Sequence, residues 1–297
     1  MRPVSLYIPC YNVERFIARC IEGVLAQTHA PDEILIIDDG CKDATLKVAS
    51  KYPVRIIQHP TNKGLSAARN TGFREARNEL VAALDADCVP DRTWLECLIR
   101  NFDDDAASAA GGKLVETVLD STADRWRKAH MSQDWGPERT VNPPFMFGNN
   151  SIIRKSVVEK VGWYDERLRT NAEDFDLCQR MRLGGFGFVY DPAAIVSHLR
   201  QDTTRSILDT FWRYGRFDYF KQVTTIETLK RIRHQICRTS PKLMMKDWKA
   251  GRYELLGLDA ALPLYTTYRD LQLLIQSSSS ATPTKSEPEA TKTLAGH

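Results

Sequence analysis

Leu80-Val81-Ala82-Ala83-Leu84-Asp85-Ala86-Asp87 sets an apolar run directly against two carboxylates one residue apart. A short apolar run halted by polar residues reads as a buried strand. The acidic pair then stands at the strand's carboxyl end, the edge of an open parallel sheet where ligands bind. Three further runs follow the same grammar. Val4–Ile8 leads into Pro9-Cys10-Tyr11-Asn12, Glu33–Ile37 into Asp38-Asp39-Gly40, and Val54–Ile57 into a loop ending at Asn62-Lys63-Gly64. Helices are predicted between them. Asn12 is expected to cap one whose apolar face is Phe16, Ile17, Cys20, Ile21, Val24 and Leu25, Asp43 to cap the next, and Gly64–Arg77 to form the third. Strands alternating with short helices predict a mostly parallel, Rossmann-like α/β sheet.

Past Thr117 the alternation stops. Residues 118–145 show no clear period, and a structureless stretch of that length often marks a functional lid. A strand over Phe145–Ile153, a helix near Lys155–Val161, a helix from about Glu173 to Leu183, and short strands at Phe186–Tyr190 and Ala194–His198 are predicted next. The expected organisation is one α/β domain over 1–200, in two parts, 1–117 and 118–200. A helical extension over 201–276 and a disordered Ser/Thr/Pro/Glu-rich tail over 277–297 complete it.

A net charge of +3 over 297 residues gives no argument for nucleic acid. The seven cysteines form no C-x-x-C, so a zinc site is not indicated and reduced thiols in a cytoplasmic setting are expected. Segment 221–254 holds nine Lys or Arg against three Asp or Glu. It reads as a solvated helical face or as a peripheral contact with an anionic membrane surface.

Each polar cluster has a plain reading as a turn; their shared edge favours chemistry. Asp85 and Asp87 suit a divalent cation, Mg2+ or Mn2+, and the hydroxyls of a ribose. The Asp39 carboxylate can accept from a base or ribose, with Asp38 orienting the loop. Arg69 is expected to pair with phosphate or base oxygens, or else to be a helix-surface arginine. Tyr11 can lie against a base or pack as a core aromatic.

The motifs IPCYN (8–12), DDGCKD (38–43), NKGLSAARNTG (62–72) and LDADC (84–88) together resemble the successive signatures of family 2 glycosyltransferases. The resemblance continues through GNNSIIR (148–154), VGWYDE (161–166) and EDFDLCQR (173–180), covering roughly residues 3–200; Cys41-Lys42 stands where the family usually has Ser-Thr. It implies a GT-A fold, a nucleotide-sugar donor, most commonly carried on UDP, a divalent metal, and inversion at the anomeric carbon. It places the nucleotide on Tyr11, Asp39, Arg69 and Asp85, with Pro9 and Ala86 beside them, and the metal on Asp87. By the same match Asp174 is the expected general base, the alternative being a helix cap, with Glu173 and Asp176 as local competitors. His198 sits where some relatives have a metal-binding histidine. Trp163, Tyr164 and Asp165, with Glu173, are expected at the sugar or acceptor pocket, or in the core. A saccharide or lipid-linked acceptor is implied. The rival readings are a nucleotidyltransferase and a nucleotide-sugar-binding scaffold without turnover.

Overall fold

The computed structural model describes residues 2–103, 107–216 and 224–279. The chain divides into two compact units, Met1–Tyr219 and Phe220–His297. In chain order the first unit holds β1 (Val4–Cys10), α1 (Ile17–Leu25), β2 (Glu33–Asp38), α2 (Thr45–Ala49), β3 (Arg55–Gln58), α3 (Leu65–Glu75), β4 (Leu80–Leu84), β5 (Cys88–Pro90) and α4 (Trp94–Ile99). It continues with β6 (Ala109–Glu116), α5 (Thr122–His130), β7 (Thr140–Val141), β8 (Asn150–Arg154), α6 (Lys155–Val161), α7 (Glu173–Leu183), β9 (Phe188–His198) and α8 (Thr204–Tyr214). The second unit holds α9 (Thr225–His234), a π-helical turn (Gln235–Thr239), α10 (Ser240–Lys249) and α11 (Leu256–Ser279).

Among the described residues one mixed sheet runs β3-β2-β1-β4-β8-β6-β9-β5, with β7 paired to β9. Side chains alternate across it. Val4, Leu6 and Ile8 pack with α1 and α4 on one face, while Tyr7, Leu35 and Ile37 pack with α3, α6 and α7 on the other. The strand directions fix the site. β8 is antiparallel to both β4 and β6, and β6 is parallel to β9, so β1, β2, β4, β6 and β9 all end on one edge. β8 and β5 run the other way and begin there, which brings the segments preceding Asn150 and Cys88 to the same edge.

Several sequence expectations change. Asn12 does not cap α1: it adopts φ 55° and its Oδ1 accepts from the Lys42 amide at 2.7 Å, while the helix starts at Ile17. Asp43 lies one residue ahead of the α2 N-cap, Ala44, although its Oδ1 accepts from the Thr45 amide at 3.1 Å. Residues 118–145 are not structureless, because α5 begins with a capping box in which Ser121 and Asp124 satisfy each other's backbone amides. The strand expected from Phe145 begins only at Asn150, and the two short strands expected near 186–198 are one, β9. β6 had no counterpart in the pattern, since AAGGKLVE opens with small residues and two glycines. Of the tail expected over 277–297, residues 277–279 close α11, and 280–297 lie outside the described residues, as do 221–223 of the basic segment.

α3 crosses β1 closely enough that a Cβ on Gly72 would lie 2.5 Å from the Tyr7 ring. Gly72→Ala is expected to cost about 1–3 kcal/mol by overpacking, more than alanine's gain in helix propensity of about 1 kcal/mol. A urea-denaturation midpoint equal to or above that of the parent protein contradicts this.

Candidate functional site

The edge gathers Tyr11, Asp39, Asp85, Asp87, Glu116, Gly148 and His198, all within the first unit. Tyr11, just past β1, is 50% exposed, so its ring is open to a ligand. Asp39 is different: it is buried, and both oxygens already have donors. Oδ1 accepts from the Lys63 amide and faces His59 Nδ1, both at 2.8 Å, and Oδ2 accepts from the Gly64 amide at 2.8 Å. His59 continues to Thr71 Oγ1 at 2.9 Å. Asp39 is therefore a clamp on the 62–64 loop, with only its remaining lone pairs for a ligand. Asp38 orients its turn as expected, accepting from the Cys41 amide at 2.8 Å. Cys41 serves this turn well despite replacing a hydroxyl residue, its sulfur accepting from the Asn12 amide at 3.2 Å. Burial and the Asp38 contact push that thiol up to about 11, so it stays protonated.

Arg69 is neither a surface arginine nor an open phosphate fork. It is 1% exposed, and its nitrogens reach Glu173 Oε1 at 3.1 Å, the Gly148 carbonyl at 2.7 Å and Asp85 Oδ1 at 3.2 Å. It ties α3 to the end of β4, the approach to β8 and the start of α7. A Cβ on Gly148 would lie 2.8 Å from Arg69 Nη2, which explains the glycine. Burial and the Asp174 charge push Glu173 up to about 7 against the pull of Arg69, so Glu173 is a supporting member of this knot.

Asp174 lies in the first turn of α7, outside the N-cap position, Ala172, and its side chain satisfies one of the helix's first-turn amides. Its Oδ2 accepts from the Gly148 amide at 3.0 Å and its Oδ1 from the Phe175 amide at 2.8 Å. The competitors are paired, Glu173 with Arg69 and Asp176 with Arg180 at 2.6 Å. Among the described residues Asp174 makes no ion pair, and it faces a cavity of about 380 Å3 also lined by Asp85, Asn149, Phe145, Phe147 and Phe175. Phe145 meets Phe147 and Phe175 edge-on at centroid distances of 5.0 and 5.7 Å. These rings, and not residues 163–165, expected at the sugar pocket or in the core, wall this cavity. Trp163 instead lies under Arg74 at 4.9 Å, Tyr164 is buried against Phe73, and Asp165 is held by Arg167 at 2.6 Å, so none of the three lines the cavity.

Asp87 and His198 meet, Oδ2 to Nε2, at 3.2 Å, and His198 Nδ1 contacts Glu116 Oε2 at 2.8 Å. A carboxylate beside an imidazole whose second nitrogen is held by another carboxylate is a donor set suited to Mg2+ or Mn2+. Glu116 escaped the sequence reading because β6 did. Burial opposes charge on His198, yet the bonds to Asp87 and Glu116 outweigh it and raise its pKa to about 9. Burial likewise opposes the Asp87 carboxylate, and the His198 bond with the charges of His198 and Arg200 holds it below its usual range. Asp85 is shifted the other way, raised by burial and by the Asp87 charge against the pull of Arg69. Arg200, unremarked in the sequence, donates from Nη2 to Thr210 Oγ1 at 3.0 Å and Asp202 Oδ1 at 3.3 Å. It adds positive charge beside Asp87.

A raised folded-state pKa on His198 implies a definite sign. Its stabilising contribution in metal-free protein is complete below its unfolded value of 6.5 and is lost as pH rises through about 9. The melting temperature of chelator-treated protein is therefore expected to fall between pH 7 and 10, less so in His198→Gln. Equal slopes in the two proteins contradict the assignment.

The sequence pattern described as Glycosyl transferase family 2 matches residues 5–162. A pre-mycofactocin glycosyltransferase of Mycobacterium tuberculosis is 29% identical over 208 residues, covering 66% of this chain and 43% of that protein. Glycosyltransferase AglE of Haloferax volcanii is 27% identical over 202 residues, covering 66% of each. The chain thus spans less than two thirds of the length of these relatives. Among solved structures, mannosyltransferase PcManGT from Pyrobaculum calidifontis in complex with GDP-Man and Mn2+ superposes with a TM-score of 0.56 at 17% identity, over 96% of this chain and 77% of that one. GalNAc-T7 with UDP, GalNAc and Mn2+ superposes with a TM-score of 0.55 at 19% identity, over 68% of this chain and 44% of that one. The fold is GT-A, and no described helix is long and apolar enough to cross a membrane. With the family pattern covering more than half of its length, the chain belongs to glycosyl transferase family 2.

Proposed function

We propose that this protein transfers a sugar from a nucleoside diphosphate donor to an acceptor hydroxyl with inversion, Asp174 acting as the general base. The observation carrying this reading is the placement of Asp174. Among the described residues it is a carboxylate without an ion pair, held by backbone donors, facing an aromatic-walled cavity that also contains Asp85. Inverting displacement needs the acceptor oxygen to approach from the face opposite the leaving diphosphate, with a base at that oxygen. The cavity offers a place for the acceptor, and aromatic rings suit the C–H face of a sugar.

Asp87 and His198 would hold the divalent metal, with Glu116 orienting the imidazole. When bound, the metal supplies charge stabilisation to the departing diphosphate. Tyr11 offers its exposed ring to the base, and Asp39 keeps the neighbouring loop closed against it. Arg69 keeps Asp85 and Gly148 in mutual register, and Arg200 adds a cation near Asp87.

The test is a panel of nucleotide sugars with Mg2+ or Mn2+, UDP-sugars first, scored for thermal shift and for release of nucleoside diphosphate in the presence of saccharide or lipid-linked acceptors. Release with sugar found on the acceptor, its anomeric configuration inverted, supports the reading. Nucleotidyl transfer to the acceptor, or donor binding without turnover across the panel, overturns it.

A further inference from the structure

The second unit carries a surface that the transfer chemistry does not use. α10 has three faces. Ser240 and Asp247 are buried, and Asp247 Oδ1 holds Arg252 at 2.6 Å, which consumes the one acidic group of this helix. Pro241, Met245 and Trp248, at i, i+4 and i+7, are exposed and lie along one stripe. Lys242, Lys246 and Lys249 repeat the same spacing one residue on and form a second exposed stripe, rotated by about 100°. Trp248 is 61% exposed and meets Tyr253, itself 59% exposed, edge-on at 5.3 Å. The neighbouring helical stretch repeats the composition: Ile226 and Leu229 of α9 and Ile236 of the π-helical turn are 66%, 58% and 49% exposed, with Arg233 and Arg238 exposed among them.

A solvated helical face would show the lysines without the apolar stripe, and a protein-docking seam would not need cations along its whole length. Exposed Trp, Tyr, Met and Ile flanked by Lys and Arg match the interface of a bilayer, where apolar side chains sink among headgroups and cations meet anionic lipid. The distribution also fits the absence of any spanning helix among the described residues. We infer that the α9–α10 surface is a peripheral docking site for an anionic membrane. It rests on charge and exposure in the second unit alone and stands or falls independently of the transfer reaction.

The experiment is co-sedimentation of the full chain with vesicles of phosphatidylglycerol and phosphatidylcholine, against phosphatidylcholine alone. Pelleting with the anionic vesicles, reversed by high salt, is expected. Lys242→Glu/Lys246→Glu/Lys249→Glu should lower the partition coefficient by about 100-fold or more, from roughly fivefold for each lysine near an anionic surface. Because all three lysines are exposed, retained circular dichroism will show that the variant folds. Independently, brominated lipid should quench tryptophan fluorescence in the parent and markedly less in Trp248→Phe. Failure to pellet with anionic vesicles, equal partition of the triple variant, or undiminished quenching in Trp248→Phe overturns the inference. So does a vesicle-free parent that is a dimer which the same substitutions dissociate, since a second copy would then be the occupant.

Discussion

Asp174→Asn is expected to lower kcat by about 10²–10⁴, the usual worth of a positioned general base, while leaving donor binding almost unchanged. The substitution is nearly isosteric, and an amide oxygen can still accept from the Gly148 amide, now 3.0 Å from Oδ2. What is lost is the capacity to take the acceptor proton, together with one backbone bond, since the amide nitrogen that replaces Oδ1 cannot accept from Phe175. A fall in kcat and kcat/KM together, with stability lowered by no more than the roughly 1 kcal/mol of one hydrogen bond, identifies a group acting in the transition state. Glu173→Gln is the instructive comparison. Glu173 is buried and bound to Arg69 at 3.1 Å, so its loss should disturb the knot joining Asp85 to Gly148 and weaken donor binding as well. If Glu173→Gln lost about 10²–10⁴ in kcat with donor affinity intact, while Asp174→Asn retained parental turnover, the base assignment would have to move to Glu173.

The alternation of apolar runs with polar stops located β1, β2 and β4 closely, because buried parallel strands read as near-continuous apolar runs, broken here by Ser5 within β1 and Glu33 at the start of β2. The acidic pair at 85 and 87 stood out for the same reason, whereas His198 was expected from its place at a strand end and from the family resemblance. β6 was not, since its two glycines and small residues carry no strand signal, and Glu116 was lost with it. Nor does residue type reveal commitment. Asp39 and Arg69 are of the kinds that bind nucleotides, and each also holds protein partners, Asp39 keeping only its remaining lone pairs for a ligand. Trp163, Tyr164 and Asp165 are of the kinds that bind sugars, yet they pack under Arg74, in the core and against Arg167. The actual aromatic wall, Phe145, Phe147 and Phe175, was read as strand and helix interior because its exposure depends on a turn before β8 that no local pattern announces.

The second large effect is expected at Asp87. Asp87→Ala should abolish metal-dependent thermal stabilisation and lower turnover by about 10²–10³, the magnitude seen when one group stabilising developing charge is removed. The structural loss should be limited to the contact with His198. Asp87 anchors the chain mainly through its backbone, its carbonyl accepting from the Leu199 amide at 2.8 Å, and alanine preserves that bond. Removing the carboxylate leaves His198 with Glu116 alone, so the histidine pKa should drop from about 9, because one of its two hydrogen-bonding carboxylates is gone. The two consequences separate the roles. NMR titration of His198 in metal-free protein reports the pairing, and isothermal titration with Mn2+ reports the donor set. In the parent protein, metal binding should release protons below pH 9, since the imidazole must give up its proton to coordinate, and affinity should rise with pH over that range. Glu116→Gln offers the graded case. It retains Asp87 and His198 and should cost about 10–100-fold in metal affinity, the usual effect of removing the group that orients a ligating histidine. Parental Mn2+ affinity in both Asp87→Ala and Glu116→Gln would place the metal elsewhere and leave the His198 pair as a purely structural contact between β9 and the acidic loop.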